Sequence, residues 1–478
     1  MEACLIIDIG TGNARVAVAA MDGKILGMAR EDVRYEKDER YPDAIYFDPD
    51  VLWAQILRLA TGALKGATGV RVVAVTATSQ REGIVLLGRE GESLIGLPNI
   101  DHRGREWEEE MGDKKRIYTL TGRYPGSLFS ALKLVGIRQR RQELWSRFAT
   151  FLSISDWVQY KLSGIVGYEH SQASETLLYD VAGKRWSQEL CDGFEIDRAV
   201  LPALVSSGEV LGKVLPSLAD VLPALSGAVV VAGGADTQLA IESTQPAADD
   251  MVIVSGTTTP IVRLMDKYLT DERERTWTSR HTAGDVFILE ANAGVTGLNY
   301  QRLKEIFYPN EGYDVIEREL ATVSAPLCVA GLGSLIADER SPVIRGGFLF
   351  NVPVSHELSR ANFVWATLWD IACSIRENYR TLCEVAGHEA DYVWACGGGM
   401  QSPVLRQLIA SLINKKVKLR SNFRQSSVVG GVYICNRALN GAAPSPAAID
   451  IIQPEDQQHF ASMYESWKKA RAAFSQMM

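Results

Sequence analysis

The first apolar run, Cys4 to Ile9, is continuous and stops at Gly10-Thr11-Gly12. A second run, Val16 to Ala20, follows at once and ends in Met21-Asp22-Gly23-Lys24. Unbroken apolar runs of this length between glycine turns predict buried strands, here a tight hairpin followed by a second turn. Asp48-Pro49-Asp50 puts a capping aspartate before a proline at the first helical position, and Leu52, Ile56, Leu59 and Ala63 continue at helical spacing. Val72 to Thr76 and Ile84 to Leu87 predict two more buried strands, the latter closed by Gly88-Arg89-Glu90-Gly91. The middle of the chain is richer in helix, with Trp145 to Leu162 as its clearest case. Ser206 to Leu225, interrupted by Pro, Gly and Ser, predicts irregular structure. Ala228 to Ala232 predicts a strand running into Gly233-Gly234-Ala235-Asp236.

Residues 6–18 read IIDIGTGNARVAV and residues 253–262 read IVSGTTTPIV. Each is an apolar strand, a Gly-Thr turn and a second apolar strand. The repetition predicts two similar domains with their hairpin turns facing one cleft, although short glycine turns between strands are common. The polar, proline-bearing segment Thr244 to Asp250 is where the boundary falls, giving domains 1–245 and 246–478.

At 478 residues the chain exceeds one ordinary core. Its net charge of −8, with both signs mixed along the chain, argues for solubility and against a nucleic-acid partner, which needs a basic face. The start lacks a basic n-region and Asp8 cuts the apolar run short, so no signal peptide is expected. No stretch approaches the roughly 18 apolar residues of a membrane span. The seven cysteines form no C-x-x-C pair and sit mostly in apolar runs. They read as buried, reduced thiols of a cytoplasmic protein, not as disulfides or zinc ligands.

Candidate chemistry gathers at three places. In Asp8-Ile9-Gly10-Thr11-Gly12-Asn13-Ala14-Arg15 the glycines allow close backbone approach, and a tight turn's amides favour anions. Thr11 and Asn13 add donors, and Asp8 could hold Mg²⁺. Arg15 is either a structural ion pair or a phosphate neighbour. The P-loop pattern is absent, and the first glycine turn lacks a third glycine and runs into a strand, which argues against a dinucleotide Rossmann fingerprint. Tyr392 to Cys396 predicts a strand entering Gly397-Gly398-Gly399. Ser402 and Pro403 then fit an N-cap and first helical residue, and Leu405, Leu408, Ile409 and Leu412 give the helix a buried face. Strand, glycine loop and helix N-terminus suit a nucleotide. Asp236, at a strand end after two glycines, is either a cleft carboxylate or a helix cap.

Taken together, these motifs resemble the FGGY carbohydrate kinases of the actin-like ATPase superfamily, in order and over nearly the whole chain. The resemblance rests on Asp8 to Arg15; Gln80-Arg81-Glu82-Gly83; Asn99-Ile100-Asp101-His102-Arg103; and Phe129-Ser130-Ala131-Leu132-Lys133-Leu134. It continues through Gly234-Ala235-Asp236-Thr237-Gln238, Ser255-Gly256-Thr257-Thr258, Glu339-Arg340-Ser341-Pro342 with the segment from His356 to Asp370, and Gly397-Gly398-Gly399. Gly136 replaces a usual tryptophan, Asp370 a common glutamate and Thr258 a frequent glycine. Leu128 and Pro260 stand where glycerol kinases carry a tyrosine and a phenylalanine, which weakens a glycerol assignment.

The resemblance implies an α/β fold of two actin-like, ribonuclease H-like domains across a nucleotide cleft. It implies ATP and Mg²⁺, with transfer of a phosphoryl group to a sugar or polyol hydroxyl. Asp236 becomes the catalytic base and Asp8 the metal-side carboxylate. Gly10, Thr11, Gly12, Asn13, Arg15, Gly256 and Thr257 face the phosphates; Gly398, Gly399 and Ser402 line the adenosine pocket. Arg81, Glu82 and Gln238 join Asp236 at the sugar, unless Arg81 and Glu82 are merely a surface ion pair. Asp101 and Arg103 lock their loop or touch substrate. A homodimer is common in the family, but no residue here demands one. The general plan resembles xylulokinases, while Ser155-Asp156-Trp157 and Arg81 to Leu86 resemble stretches of autoinducer-2 kinases. The competing classes are a nucleotide-driven conformational ATPase and an idle sugar-binding regulator.

Overall fold

The computed structural model describes residues 1–478 apart from 324–325, 340–341, 442–446, 456–459 and 477–478. Arg340 and Ser341 of the second signature therefore lie outside the described residues. Two mixed sheets organise the chain. The first holds β1 (Glu2–Ile9), β2 (Asn13–Ala20), β3 (Ile25–Asp32), β4 (Arg71–Ser79), β5 (Val210–Lys213) and β6 (Val229–Ala235), in the order β5-β6-β4-β1-β2-β3. The second holds β7 (Met251–Val254), β8 (Thr258–Met265), β9 (Trp277–Arg280), β10 (Phe287–Val295), β11 (Tyr392–Cys396), β12 (Lys416–Arg420) and β13 (Ile449–Ile452), in the order β9-β10-β8-β7-β11-β12-β13.

The orders β3-β2-β1-β4-β6 and β10-β8-β7-β11-β12 coincide strand for strand, so the two Gly-Thr hairpins open two copies of one topology. In each copy the hairpin is antiparallel and the next strand runs parallel to the first. The C-terminal ends of the parallel strands share one edge, where open α/β sheets bind ligands.

The helices that matter to the site are α1 (Pro49–Gly66), α2 (Ser130–Arg140), α3 (Ile154–Ser163), α4 (Asp236–Thr244), α5 (Arg360–Ala386), α6 (Pro403–Ile413) and α7 (Ser426–Ala438). Alternation along β1 sends Leu5, Ile7 and Ile9 toward Leu52, Ile56 and Leu59 of α1. Cys4 and Ile6 go the other way, into a cluster with Val428, Val432 and Cys435 of α7. Helix α7 thus comes from the second half of the chain but packs on the first sheet. Helix α4 does the reverse, with Ala240 and Ile241 packed against Val252, Val254, Trp394 and Cys396. The two helices meet where an added Cβ at Gly430 would lie 1.8 Å from the Leu239 carbonyl oxygen. Edge strand β9 is covered by the first lobe: Thr278 N–H donates to Gly122 O at 2.9 Å and Tyr118 OH to Thr276 O at 2.7 Å.

Two expectations need correction. Trp145 to Leu162 is not one helix: Phe148–Ser153 is a strand paired with Ile84–Gly88, and α3 begins only after it. Ser153 resets the chain by accepting from Asp156 N–H at 3.1 Å, a cap that local apolar spacing does not reveal. Ser206 to Leu225 contains strand β5 and a short helix, Pro216–Val221, because pairing of Val210 with Val231 supplies a ladder from outside the segment. All seven cysteines are free thiols. Among the described residues no helix is long and apolar enough to cross a membrane.

Candidate active site

Register alone brings the acidic groups together. Asp8 of β1 and Gly234 of β6 both pair with Thr78 of β4, on its two sides. The β6 ladder slips between Val231 and Gly234, where a Cβ on Gly233 would lie 1.9 Å from the Ala77 carbonyl oxygen and Gly234 has φ +156°. This irregularity releases Asp236 from the sheet as the first residue of α4. Its Oδ1 accepts from its neighbour Thr237 N–H at 2.6 Å, yet the side chain is only partly buried. Burial and the nearby Asp8 charge push its carboxyl up to about 6, with Arg81 opposing.

Asp8 itself is buried. Its Oδ2 accepts from Arg15 and from Ser427 Oγ, the latter at 2.6 Å. Arg15 also donates to Gln425 Oε1 at 2.6 Å and to Ser427 Oγ at 2.9 Å. The structure therefore gives Arg15 the structural ion pair, reinforced by two side chains beside the start of α7. Contacts continue from there to the glycine loop. Gly397 N–H donates to Phe423 O at 2.8 Å, and Gly399 N–H to Ser255 O at 2.9 Å, at the second hairpin turn. Thus the first turn, the glycine loop and the second turn form one contiguous rim.

Within that rim the glycines divide by role. Cβ atoms on Gly397 and Gly399 would lie 2.3 and 2.1 Å from Ser255 atoms, so both serve close packing of loop on turn. Gly12 and Gly398, by contrast, have nothing within 4 Å of an added Cβ and lie exposed. No protein contact requires glycine there; the open space suits a ligand lying against bare backbone. Gly256 and Thr257 are likewise exposed at the tip of the second turn. In the first turn Gly10 N–H donates to Asn13 O at 2.9 Å, and Thr11 Oγ1 to Asn99 Oδ1 at 3.1 Å. Ser402 is fully buried, its hydroxyl accepting from Leu405 N–H at 3.3 Å as the cap of α6, so it supports the loop from behind.

Arg81 and Glu82 are buried, which removes the surface ion-pair reading. Glu82 has φ +61° and Gly83 N–H donates to Arg81 O at 2.7 Å, a γ-turn that splays the two side chains. Lys133 Nζ of α2 braces it by donating to Glu82 O at 2.8 Å. Arg81 makes a bidentate pair with Glu290 of β10, at 2.5 and 3.0 Å. Glu290 and Lys133 escaped the sequence reading as site residues. The available signal for Glu290 was a lone charge inside the apolar run Phe287-Ile288-Leu289-Glu290-Ala291. Gln238, expected at the sugar, is fully buried and donates to Ser279 Oγ and Arg280 O at 3.4 and 3.3 Å across the lobes. Asp101 and Arg103 lock their loop: Arg103 Nε donates to Asp101 Oδ2 at 2.7 Å, and Asp101 Oδ1 accepts from Ile45 N–H at 3.0 Å.

Two duplicated lobes around one rim, with a partly exposed carboxylate beside glycine turns, define a phosphotransferase of actin-like architecture. Comparison with known proteins carries this further. The FGGY family of carbohydrate kinases, N-terminal domain, matches residues 3–241, and its C-terminal domain matches residues 319–439. "Putative sugar kinase YoaC" of Bacillus subtilis is 48% identical over 473 residues, covering 98% of this chain and 97% of its own. A xylulose kinase of Staphylococcus epidermidis is 23% identical over 491 residues, covering 98% and 95%. Among solved structures, ligand-bound xylulose kinase from Lactobacillus acidophilus superposes with a TM-score of 0.82 at 17% identity, covering 100% of this chain and 98% of that one. The chain belongs to the FGGY family of carbohydrate kinases and is a sugar kinase.

Proposed function

We propose that this kinase phosphorylates a hydroxyl of a small neutral carbohydrate, most simply a ketose such as xylulose, with Asp236 as the base. The observation that carries the reading is Asp236 itself: a carboxylate freed from the sheet by a strand irregularity, only partly buried, and close enough to Asp8 and Arg81 for their charges to act on it. Bound MgATP supplies the γ-phosphoryl group, its charge neutralised by the metal. Gly10, Thr11, Gly12 and Asn13 from one hairpin, with Gly256 and Thr257 from the other, hold the phosphates. Gly398 receives the adenosine, and Asp8 stands on the metal side. Asp8 would hold the magnesium through Oδ1, since Arg15 and Ser427 engage only Oδ2, and the metal would neutralise phosphate charge. Arg81 and Glu82 orient the sugar as donor and acceptor, and Asp236 takes the proton of the attacking hydroxyl.

Of the stretches shared with autoinducer-2 kinases, Ser155-Asp156-Trp157 favours no hydroxyketone. Trp157 is buried with its Nε1 donating to Ser93 Oγ at 2.9 Å, and Asp156 belongs to the buried cap of α3. Both serve the core. The lobes of this reading are residues 1–245 and 246–478, in a cytoplasmic enzyme. The cleft closes on substrate by bending near Thr244 to Asp250, excluding the water that would hydrolyse ATP. ADP release measured across ketoses, polyols and hydroxyketones tests the proposal. Stimulation by a ketose supports it, a hydroxyketone as sole stimulant replaces the substrate, and sugar-independent turnover or binding without turnover defeats it. Small-angle scattering without compaction on adding sugar and a nonhydrolysable nucleotide counts against closure.

A further inference from the structure

We infer that Glu290, from the second lobe, is a positioning residue of the sugar site: by engaging Arg81 in a bidentate pair it keeps Arg81 from closing on Glu82. The inference rests on Arg81 and Glu82 being the sugar clamp. Adjacent arginine and glutamate side chains in a buried site are each other's nearest opposite charge. Here Arg81 Nε stays 3.9 Å from Glu82 Oε1, while both Nη atoms are committed to Glu290. Among the described residues no hydrogen bond reaches the Glu82 carboxyl.

Two further features hold the arrangement. Asn292 Nδ2 donates to Glu290 Oε1 at 2.9 Å, fixing the carboxylate plane that a bidentate fork needs. Glu175, the other carboxylate near Arg81 at 4.0 Å, is itself paired with Arg123. Against the upward push of burial, the Arg81 charge holds the Glu290 carboxyl below its ordinary range. Burial pushes Glu82 up to about 8, aided by Glu175 and opposed by Arg81, Arg123 and Lys133.

The test is a double-mutant cycle in the full chain, using the best sugar from the substrate panel. Glu290→Gln keeps the volume and removes the charge, so Arg81 turns to Glu82. The sugar KM is expected to rise about tenfold or more while the ATP KM stays within about twofold. Glu82→Gln combined with Glu290→Gln is expected to match Glu82→Gln alone, because both act by withdrawing the same carboxyl from the sugar. Additive effects, an unchanged sugar KM, or a parallel rise in ATP KM would overturn the inference. If Glu290→Gln does not fold, Glu290→Asp keeps the charge with a shorter reach; an intermediate sugar KM supports the inference and a wild-type value overturns it. Failure of the underlying reading looks different: no sugar stimulates the wild type, or Glu82→Gln leaves the sugar KM unchanged.

Discussion

Asp8 and Asp236 stand on opposite sides of one strand. Asp8 pairs with Thr78, and Asp236 leaves β6 one residue after Ala235, which pairs with Ser79. Their proximity has a titration consequence. Burial first and the Asp8 charge second raise the Asp236 carboxyl to about 6, and only its ionised form accepts a proton. Activity should therefore be lost as pH falls through about 6. The measurement is the rate against pH with sugar and MgATP both subsaturating, which reports the free enzyme; an acid limb centred near 4 would show that the environment of Asp236 is not the one described.

Asp236→Asn separates chemistry from folding and nucleotide binding. The amide keeps the shape and the contact from Thr237 N–H but cannot take the hydroxyl proton. Loss of general-base catalysis should lower kcat about 10²–10⁴-fold. Nucleotide affinity, read by titration calorimetry with a nonhydrolysable analogue, should change less than about threefold. A variant retaining a tenth of wild-type kcat would remove Asp236 from the role of base.

The two kinds of glycine in the rim give opposite mutational signatures. Gly12→Ala and Gly398→Ala add a methyl group into space with no protein atom within 4 Å. Their stability cost should stay below about 1 kcal/mol, while the ATP KM rises about tenfold if the nucleotide lies against that backbone. Gly399→Ala places its Cβ 2.1 Å from Ser255 Oγ and should cost about 1–3 kcal/mol through overpacking. Urea unfolding and steady-state kinetics on the same preparations distinguish the two classes. A Gly398→Ala enzyme with normal ATP KM would argue against the adenosine assignment.

Much of this arrangement was legible because it is local. The two Gly-Thr hairpins, the cap at Asp48 and the Ser402-Pro403 helix start each depend on a few consecutive residues, and each formed as expected. What the sequence hid is non-local. The strand Phe148–Ser153 exists because Ile84–Gly88 pairs with it. Arg15 reaches partners 410 and 412 residues away, and Arg81 one 209 residues away. No spacing rule connects such positions. Gln238 lies within one turn of Asp236, but its side chain serves contact between the lobes, a choice made by tertiary packing.

The buried acids of the first lobe make stability depend on pH in a defined direction. Burial pushes Asp156 up to about 7 and Glu169 up to about 8, their mutual repulsion adding to the Glu169 shift. In the unfolded chain both titrate near 4. Below pH 4 both are protonated in either state and folding is not opposed. As pH rises from about 4 toward 8, the unfolded chain loses protons that the native state keeps, so stability falls across this window and levels off above it. Asp156→Asn keeps an oxygen to accept from Ser153 Oγ and Glu169 N–H, which now contact Asp156 Oδ2 at 2.6 and 3.2 Å, and has no proton to lose. The variant should be more stable than wild type at pH 8 by roughly 1–3 kcal/mol, with the advantage shrinking toward pH 4. Urea unfolding at pH 5, 6.5 and 8 measures it; an advantage that grew on acidification would reverse the sign and show that Asp156 is ionised in the folded protein.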